Sequence, residues 1–315
     1  MIQLDFDRLH ELATVEDLIE PVRLAFLAGA TVPPRLHYDV GQNTGEATLL
    51  LMPSWRTGDL VGVKVATVFA ANQARGVPSV NAQYLLLSGQ TGEFLAALDG
   101  RALTLLRTAA VSAVAAKLLA PRDAQTLLLV GTGALIPYLA QGHAAVRRYA
   151  SINVWGRDKR KAAASAVQLE RYGLHARVAE DLESAVRSAD VISCATMSEQ
   201  PLVLGRWLKP KTHLDLVGGY RPAMREADDD CVRNACVVTD TLTALEECGD
   251  LRAPIDGGAL DAAAIVPLDR LVRDSQLQQP ARSTVFKSVG VALADLAAAQ
   301  WIVNRPVLAQ PPPRA

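Results

Sequence analysis

The run Leu127-Leu128-Leu129-Val130-Gly131-Thr132-Gly133 ends an apolar stretch in two glycines, and a second apolar stretch follows. A buried strand entering a tight turn and then a helix brings free backbone N–H groups and a helix N-terminus to one place, which seats a phosphate group. Gly131, Thr132, Gly133 and Ala134 are therefore expected to cradle the pyrophosphate of a nicotinamide dinucleotide. Ile136 stands where the fingerprint usually has a third small residue. The next strand, expected at 152–155, ends in Gly156-Arg157, with Lys159, Arg160 and Lys161 just beyond. Sites for NAD carry an acid there to take the ribose 2′-hydroxyl. One charged hydrogen bond to a 2′-phosphate is worth roughly 1.5–3 kcal/mol, so Arg157 and Lys159 favour NADP(H) over NAD(H).

A second set of residues could meet an anion. In the stretch around Lys64, Val61, Val63 and Val65 share one strand face, so Lys64 points to the other, between Gly62 and Ala66. Small neighbours leave space for a ligand there. Arg107 is expected near the start of a long helix over 103–119, where the dipole disfavours a cation unless an anion joins it. A carboxylate held in bidentate fashion would relieve that conflict. The five histidines are scattered singly, and Cys194, Cys231, Cys236 and Cys248 form no CxxC pair. Reduced thiols and no metal site are the expectation.

The elements that must position these groups fall into two textures. A capped helix over 14–27 precedes strands at 47–52, 60–69, 79–87 and 94–98, punctuated by Pro53 and by glycine turns, which reads as an antiparallel sheet. Beyond Pro121, short strands at 126–130, 152–155, 175–178, 190–195, 213–217 and 236–239 alternate with helical stretches at 158–171 and 181–188. That alternation is the mark of βαβ units on a parallel sheet. An apolar helix over 289–304 follows, and the proline-rich tail at 310–315 is expected to be unstructured.

At 315 residues the chain fits two domains, and half of its residues are apolar. Net charge is -1, with 32 basic and 33 acidic residues and no basic block, which argues against a nucleic-acid partner. No signal-peptide pattern or membrane-length apolar run is expected, so the protein is placed in the cytoplasm.

With both halves in view, the chain resembles the ornithine cyclodeaminase/mu-crystallin family along nearly its whole length. The segments that carry the resemblance are Pro34-Arg35, Leu51-Met52-Pro53, Gly62-Val63-Lys64, Leu106-Arg107-Thr108-Ala109-Ala110, Gly131-Thr132-Gly133, Val217-Gly218-Gly219, and Thr284 through Gly290. The resemblance implies an α/β fold in which a Rossmann domain (118–288) is inserted into an α+β substrate and dimerisation domain (1–117 plus 289–315), whose sheet is mostly antiparallel. It also implies a homodimer. The substrate carboxylate would lie between Arg35 and Arg107, with Lys64 by the reacting nitrogen and Met52 and Thr108 lining the substrate. Thr108, Thr196, Val217, Gly218, Gly219, Ser288 and Gly290 would join the glycine turn, Gly156, Arg157 and Lys159 in holding the cofactor.

Two departures bear on the reaction. Cyclodeaminases of this family place an aspartate after the paired glycines and a glutamate beside the substrate amine, where this chain has Tyr220 and Leu50. Losing both removes the acids that would handle an amino group and its protons. The segment from Tyr220 to Glu226, together with 49–55, resembles the ketimine reductase branch instead. The expectation is hydride transfer to C2 of pyrroline-2-carboxylate or piperideine-2-carboxylate, with two guanidinium groups gripping the carboxylate and no acid nearby. The alternatives are an ornithine cyclodeaminase, an amino-acid dehydrogenase, and a dinucleotide-binding protein without catalysis.

Overall fold

The computed structural model describes residues 1–41 and 47–309, so the tail at 310–315 lies outside the described residues. By compactness the chain divides into two units, Met1–Thr108 with Val291–Ala315, and Ala109–Gly290.

The first unit is built on a six-stranded sheet with strand order β1-β6-β5-β4-β3-β2. Its strands are β1 (Ile2–Leu4), β2 (Leu36–Asp39), β3 (Ala47–Arg56), β4 (Leu60–Phe69), β5 (Val80–Ser88) and β6 (Phe94–Asp99). All neighbours are antiparallel except β1 on β6. Pro53, expected to punctuate the sheet, instead lies inside β3 opposite Val63. It is tolerated because its nitrogen faces the β2 side, as the Trp55 nitrogen does, and β2 pairs with β3 only as far as Leu51.

Alternation decides the two faces of this sheet. Met52, Ser54, Lys64, Ala66, Tyr84, Leu86, Ala96 and Leu98 point to the buried side. The C-terminal helix Ala292–Val303 covers that side, packing on β3, β4 and β5 and on α2 (Val15–Ala28). Thr14 and Asp17 close a capping box at the start of α2, and its face bearing Leu18, Ile19, Val22, Ala25 and Phe26 is buried. Ahead of it, α1 (Phe6–Leu12) is a short capped helix.

Helix α3 (Gly100–Leu119) begins three residues earlier than expected, because the Asp99 carboxylate accepts the Ala102 N–H at 2.8 Å and caps it. By length and composition this helix could cross a membrane, but 83% of its most apolar window is buried within the protein. It reads as a core helix.

The second unit holds an eight-stranded, wholly parallel sheet of order β13-β12-β14-β11-β10-β7-β8-β9. The strands are β7 (Thr126–Val130), β8 (Ser151–Trp155), β9 (Ala176–Val178), β10 (Val191–Cys194), β11 (His213–Leu216), β12 (Cys236–Thr239), β13 (Val266–Pro267) and β14 (Thr284–Lys287). Helices α4 (Ile136–Val146), α5 (Lys159–Glu170) and α6 (Leu182–Ser188) make the crossovers. Strand order reverses between β8-β7 and β10, the switch point of a doubly wound sheet. The core strands are continuous apolar runs, as burial on both faces demands. All four cysteines are free and buried here. His143 and His213 are buried and meet Asp215 at 3.0 Å and Thr284 at 2.8 Å, respectively.

Candidate active site

In the first unit, Lys64 rises from the middle of β4 on the buried face, directly opposite Met52 on β3 and Tyr84 on β5. The space beside Gly62, expected to be free, is filled by Tyr84: a Cβ at Gly62 would fall 1.8 Å from the Tyr84 hydroxyl. Arg107 reaches the same place from α3. Since the helix starts at Gly100, Arg107 lies two turns in, outside the first turn in which a helix dipole acts. What holds it is a charge the sequence reading missed.

That charge is Asp295, on the C-terminal helix and fully buried. Its Oδ2 accepts from Lys64 Nζ at 2.9 Å and its Oδ1 from Arg107 Nε at 2.8 Å. The expectation of a pocket free of acid is thus corrected. The acid is fully engaged by two cations, however, which hold its carboxyl below the usual range although burial opposes this. Burial lowers the Lys64 pKa to about 8, Asp295 works against that shift, and the charges of Arg107 and Arg35 add to it. Arg35, half-buried ahead of β2, is therefore near enough for its charge to be felt at Lys64. Lys64 and Arg107, two cations sharing the single carboxylate of Asp295, leave the cluster short of negative charge. Arg107 Nη1 and the Tyr84 hydroxyl are buried with no hydrogen-bond partner among the described residues. Buried donors without partners are costly, and a ligand's acceptor atoms would relieve them. Thr108, buried, follows Arg107 in the helix.

Asp295 left a faint signal. It is the single charged residue in the apolar helix 292–303, and a buried lone charge must find partners. Tyr84 left none.

In the second unit, every residue expected at the cofactor follows the C-terminal end of one of five adjacent strands, β14, β11, β10, β7 and β8. That edge is where open α/β sheets bind ligands. Gly131 leaves β7 at φ +131°, and a Cβ there would come 2.6 Å from the Ala195 carbonyl oxygen. Gly133 and Ala134 are exposed, and a Cβ at Gly133 would meet nothing within 4 Å, so the turn before α4 is open for a group to approach the backbone. Thr132 covers Gly156, with 2.5 Å between its methyl group and an added Cβ. These features fit a bound pyrophosphate.

After β8, Arg157 is exposed, Arg160 is 95% exposed at its side chain, and Lys159 is ion-paired with Glu180. Asp158 caps α5 by accepting the Arg160 and Lys161 N–H groups. Ser288 does not point its hydroxyl into open space: it donates to Asp240 at 2.7 Å, and Asp240 also takes the N–H groups of Val289 and Gly290. Thr196, Gly218 and Gly219 are tied to the buried Glu226, which had no expected role. Val217 continues the β11 ladder by donating to Cys194.

A doubly wound nucleotide-binding unit inserted into a chain whose two ends build a second α+β unit defines the class of protein. The chain belongs to the ornithine cyclodeaminase/mu-crystallin family, whose profile matches residues 3–309. It is 37% identical to Protein SAR DEFICIENT 4 of Arabidopsis thaliana over 86% of each chain. It is 35% identical to a Delta(1)-pyrroline-2-carboxylate reductase of Paracoccus denitrificans, covering 91% of this chain and 92% of that one. The Delta(1)-pyrroline-2-carboxylate reductase of Thermococcus litoralis, solved in complex with NADH and L-proline, superposes with a TM-score of 0.90 at 29% identity over 98% of both chains.

Proposed function

We propose that this protein is a nicotinamide-dinucleotide-dependent reductase of cyclic ketimine carboxylates, converting pyrroline-2-carboxylate or piperideine-2-carboxylate to proline or pipecolate. The observation that carries this reading is the buried Lys64–Asp295–Arg107 cluster, net positive and with an unpartnered guanidinium nitrogen. Such a cluster suits a small carboxylate. Its own acid is neutralised in place, Leu50 stands on the same sheet face as Lys64, and Tyr220 is 37% exposed under Arg221. Among the described residues, nothing in this arrangement supplies the free carboxylate that expulsion of an amine calls for. Reductase relatives in the family support the same choice.

When bound, a reduced nicotinamide cofactor would supply the hydride that C2 of the imine accepts. Arg107 and Arg35 would bind the substrate carboxylate and fix which atom is presented. Lys64, cationic below about pH 8, would donate a proton to the ring nitrogen, so that the C=N bond accepts hydride as an iminium and leaves as a secondary amine. The neutral lysine then regains its proton from solvent. Met52 and Thr108 would shape the apolar side of the site. In the second unit, the turn at Gly131–Gly133 would seat the pyrophosphate. Arg157 and Arg160 would meet a 2′-phosphate, and this favours NADPH; Lys159 would first have to leave Glu180.

The outer face of the first sheet supports a homodimer. Leu36 and Tyr38 are 46% and 48% exposed, and Leu49, Leu51, Pro53, Val61, Val63, Val65, Leu85 and Leu87 continue the same face. Apolar surface of that extent is uncommon on a monomer.

Steady-state oxidation of NADPH and NADH against both cyclic ketimines, beside ornithine, tests the reading. Turnover of a cyclic imine with net cofactor oxidation is expected. Ammonia release from ornithine without net oxidation would replace it by cyclodeamination.

A further inference from the structure

Glu226 is fully buried, and two separate loops converge on its carboxylate. Oε1 accepts the Thr196 N–H at 2.7 Å and the Thr196 hydroxyl at 2.9 Å, from the loop after β10. Oε2 accepts the Gly218 N–H at 2.7 Å and the Gly219 N–H at 3.4 Å, from the loop after β11. The two loops are in direct contact, since a Cβ on Gly218 would fall 1.9 Å from the Thr196 carbonyl oxygen. We propose that Glu226 is a positioning residue that clamps these two cofactor-edge loops together, so that dinucleotide affinity follows its ionisation. The inference rests on the dinucleotide reading of this unit.

The ionised carboxylate makes this clamp at full strength, because both of its oxygens are then charged acceptors facing donors. A proton on either oxygen removes the charge and adds a donor among N–H groups, which weakens the hold on both loops. The charges around it make that proton accessible. Asp250 Oδ1 accepts the Glu226 and Ala227 N–H groups at 2.7 and 3.2 Å, and its Oδ2 accepts from Lys287 Nζ at 2.9 Å. Among the described residues, the charges of Lys287 from β14 and Asp250 from the helix Gly249–Asp256 act on Glu226, Cys194 from β10 feels the Glu226 charge, and Cys248 feels that of Lys287. Two carboxylates thus share one ammonium away from water. Burial raises the Glu226 pKa to about 7, Asp250 adds to the rise, and Lys287 and the Thr196 hydrogen bonds oppose it.

The dissociation constant of NADH, measured by fluorescence titration from pH 5.5 to 8.5, tests this. NADH is the probe because the 2′-phosphate of NADPH itself titrates in this window. For the wild-type protein a constant level above neutrality and weakening of about tenfold per pH unit below it are expected, the slope of one linked proton. Glu226→Gln should bind weakly at every pH, with a flat profile. In cofactor-free protein, the carboxyl 13C resonance missing from Glu226→Gln should titrate near neutrality. A tight but pH-independent wild-type constant, or a variant that keeps the wild-type profile, overturns the inference alone. No binding of either dinucleotide at any pH overturns the parent reading along with it. Should Glu226→Gln fail to fold, the wild-type profile still decides.

Discussion

Asp295 turns two cations that would repel one another into a preset pair, and it does so from a position 231 residues from Lys64 and 188 from Arg107. That separation is why the sequence revealed Lys64, Arg35 and Arg107 through family resemblance and yet hid the acid between them: no local period or spacing links the helix 292–303 to β4 or α3. Removing one member of a buried charge cluster leaves the others uncompensated, at about 3–5 kcal/mol. Asp295→Ala should therefore lower the unfolding free energy of the first unit, measured by urea denaturation, by an amount in that range, where a surface substitution would scarcely move it. Lys64 carries the pH dependence. Because burial depresses its pKa to about 8, its charge is present below that value and lost above it. The kcat/KM for a ketimine carboxylate should accordingly fall as pH passes 8, and a profile flat to pH 10 would remove Lys64 as the proton donor. Arg107→Ala should cost about 10- to 150-fold in kcat/KM, the equivalent of one charged hydrogen bond.

The glycine turn was legible because strand, turn and helix follow one another within about a dozen residues, and the structure adds the reason Gly131 in particular is needed. Gly131→Ala combines an unfavourable positive φ with a Cβ 2.6 Å from a backbone oxygen that cannot swing away. A loss of about 1–3 kcal/mol and weakened dinucleotide binding are expected, measured by urea unfolding and fluorescence titration. Gly133→Ala, with open space at its Cβ, should spare stability. Boundaries were harder to read than elements. Asp99 starts α3 earlier than the Ala- and Leu-rich texture suggested, and Pro53 remains within a strand because the neighbouring strand stops short of it. Strands β1, β2, β13 and β14 went unassigned, since two to four residues carry too little alternation to stand out, and β1 pairs parallel with a strand some 90 positions away.

For the molecule as a whole, the half-exposed apolar face of the first sheet predicts association. Replacing Val63, which lies on that face opposite Pro53, by glutamate should shift sedimentation from dimer to monomer, while Val63→Ile should leave the dimer intact. The placement of the cysteines has a separate use. All four are buried, and all four belong to the parallel-sheet unit, with none in the unit that carries Lys64 and Arg107. Burial keeps these thiols protonated, so alkylating reagents must wait for the backbone to open. The chain thereby carries its own one-sided reporter: the rate of thiol alkylation clocks breathing of the nucleotide-binding half alone, and its slowing upon adding a dinucleotide would measure how firmly that half is held shut.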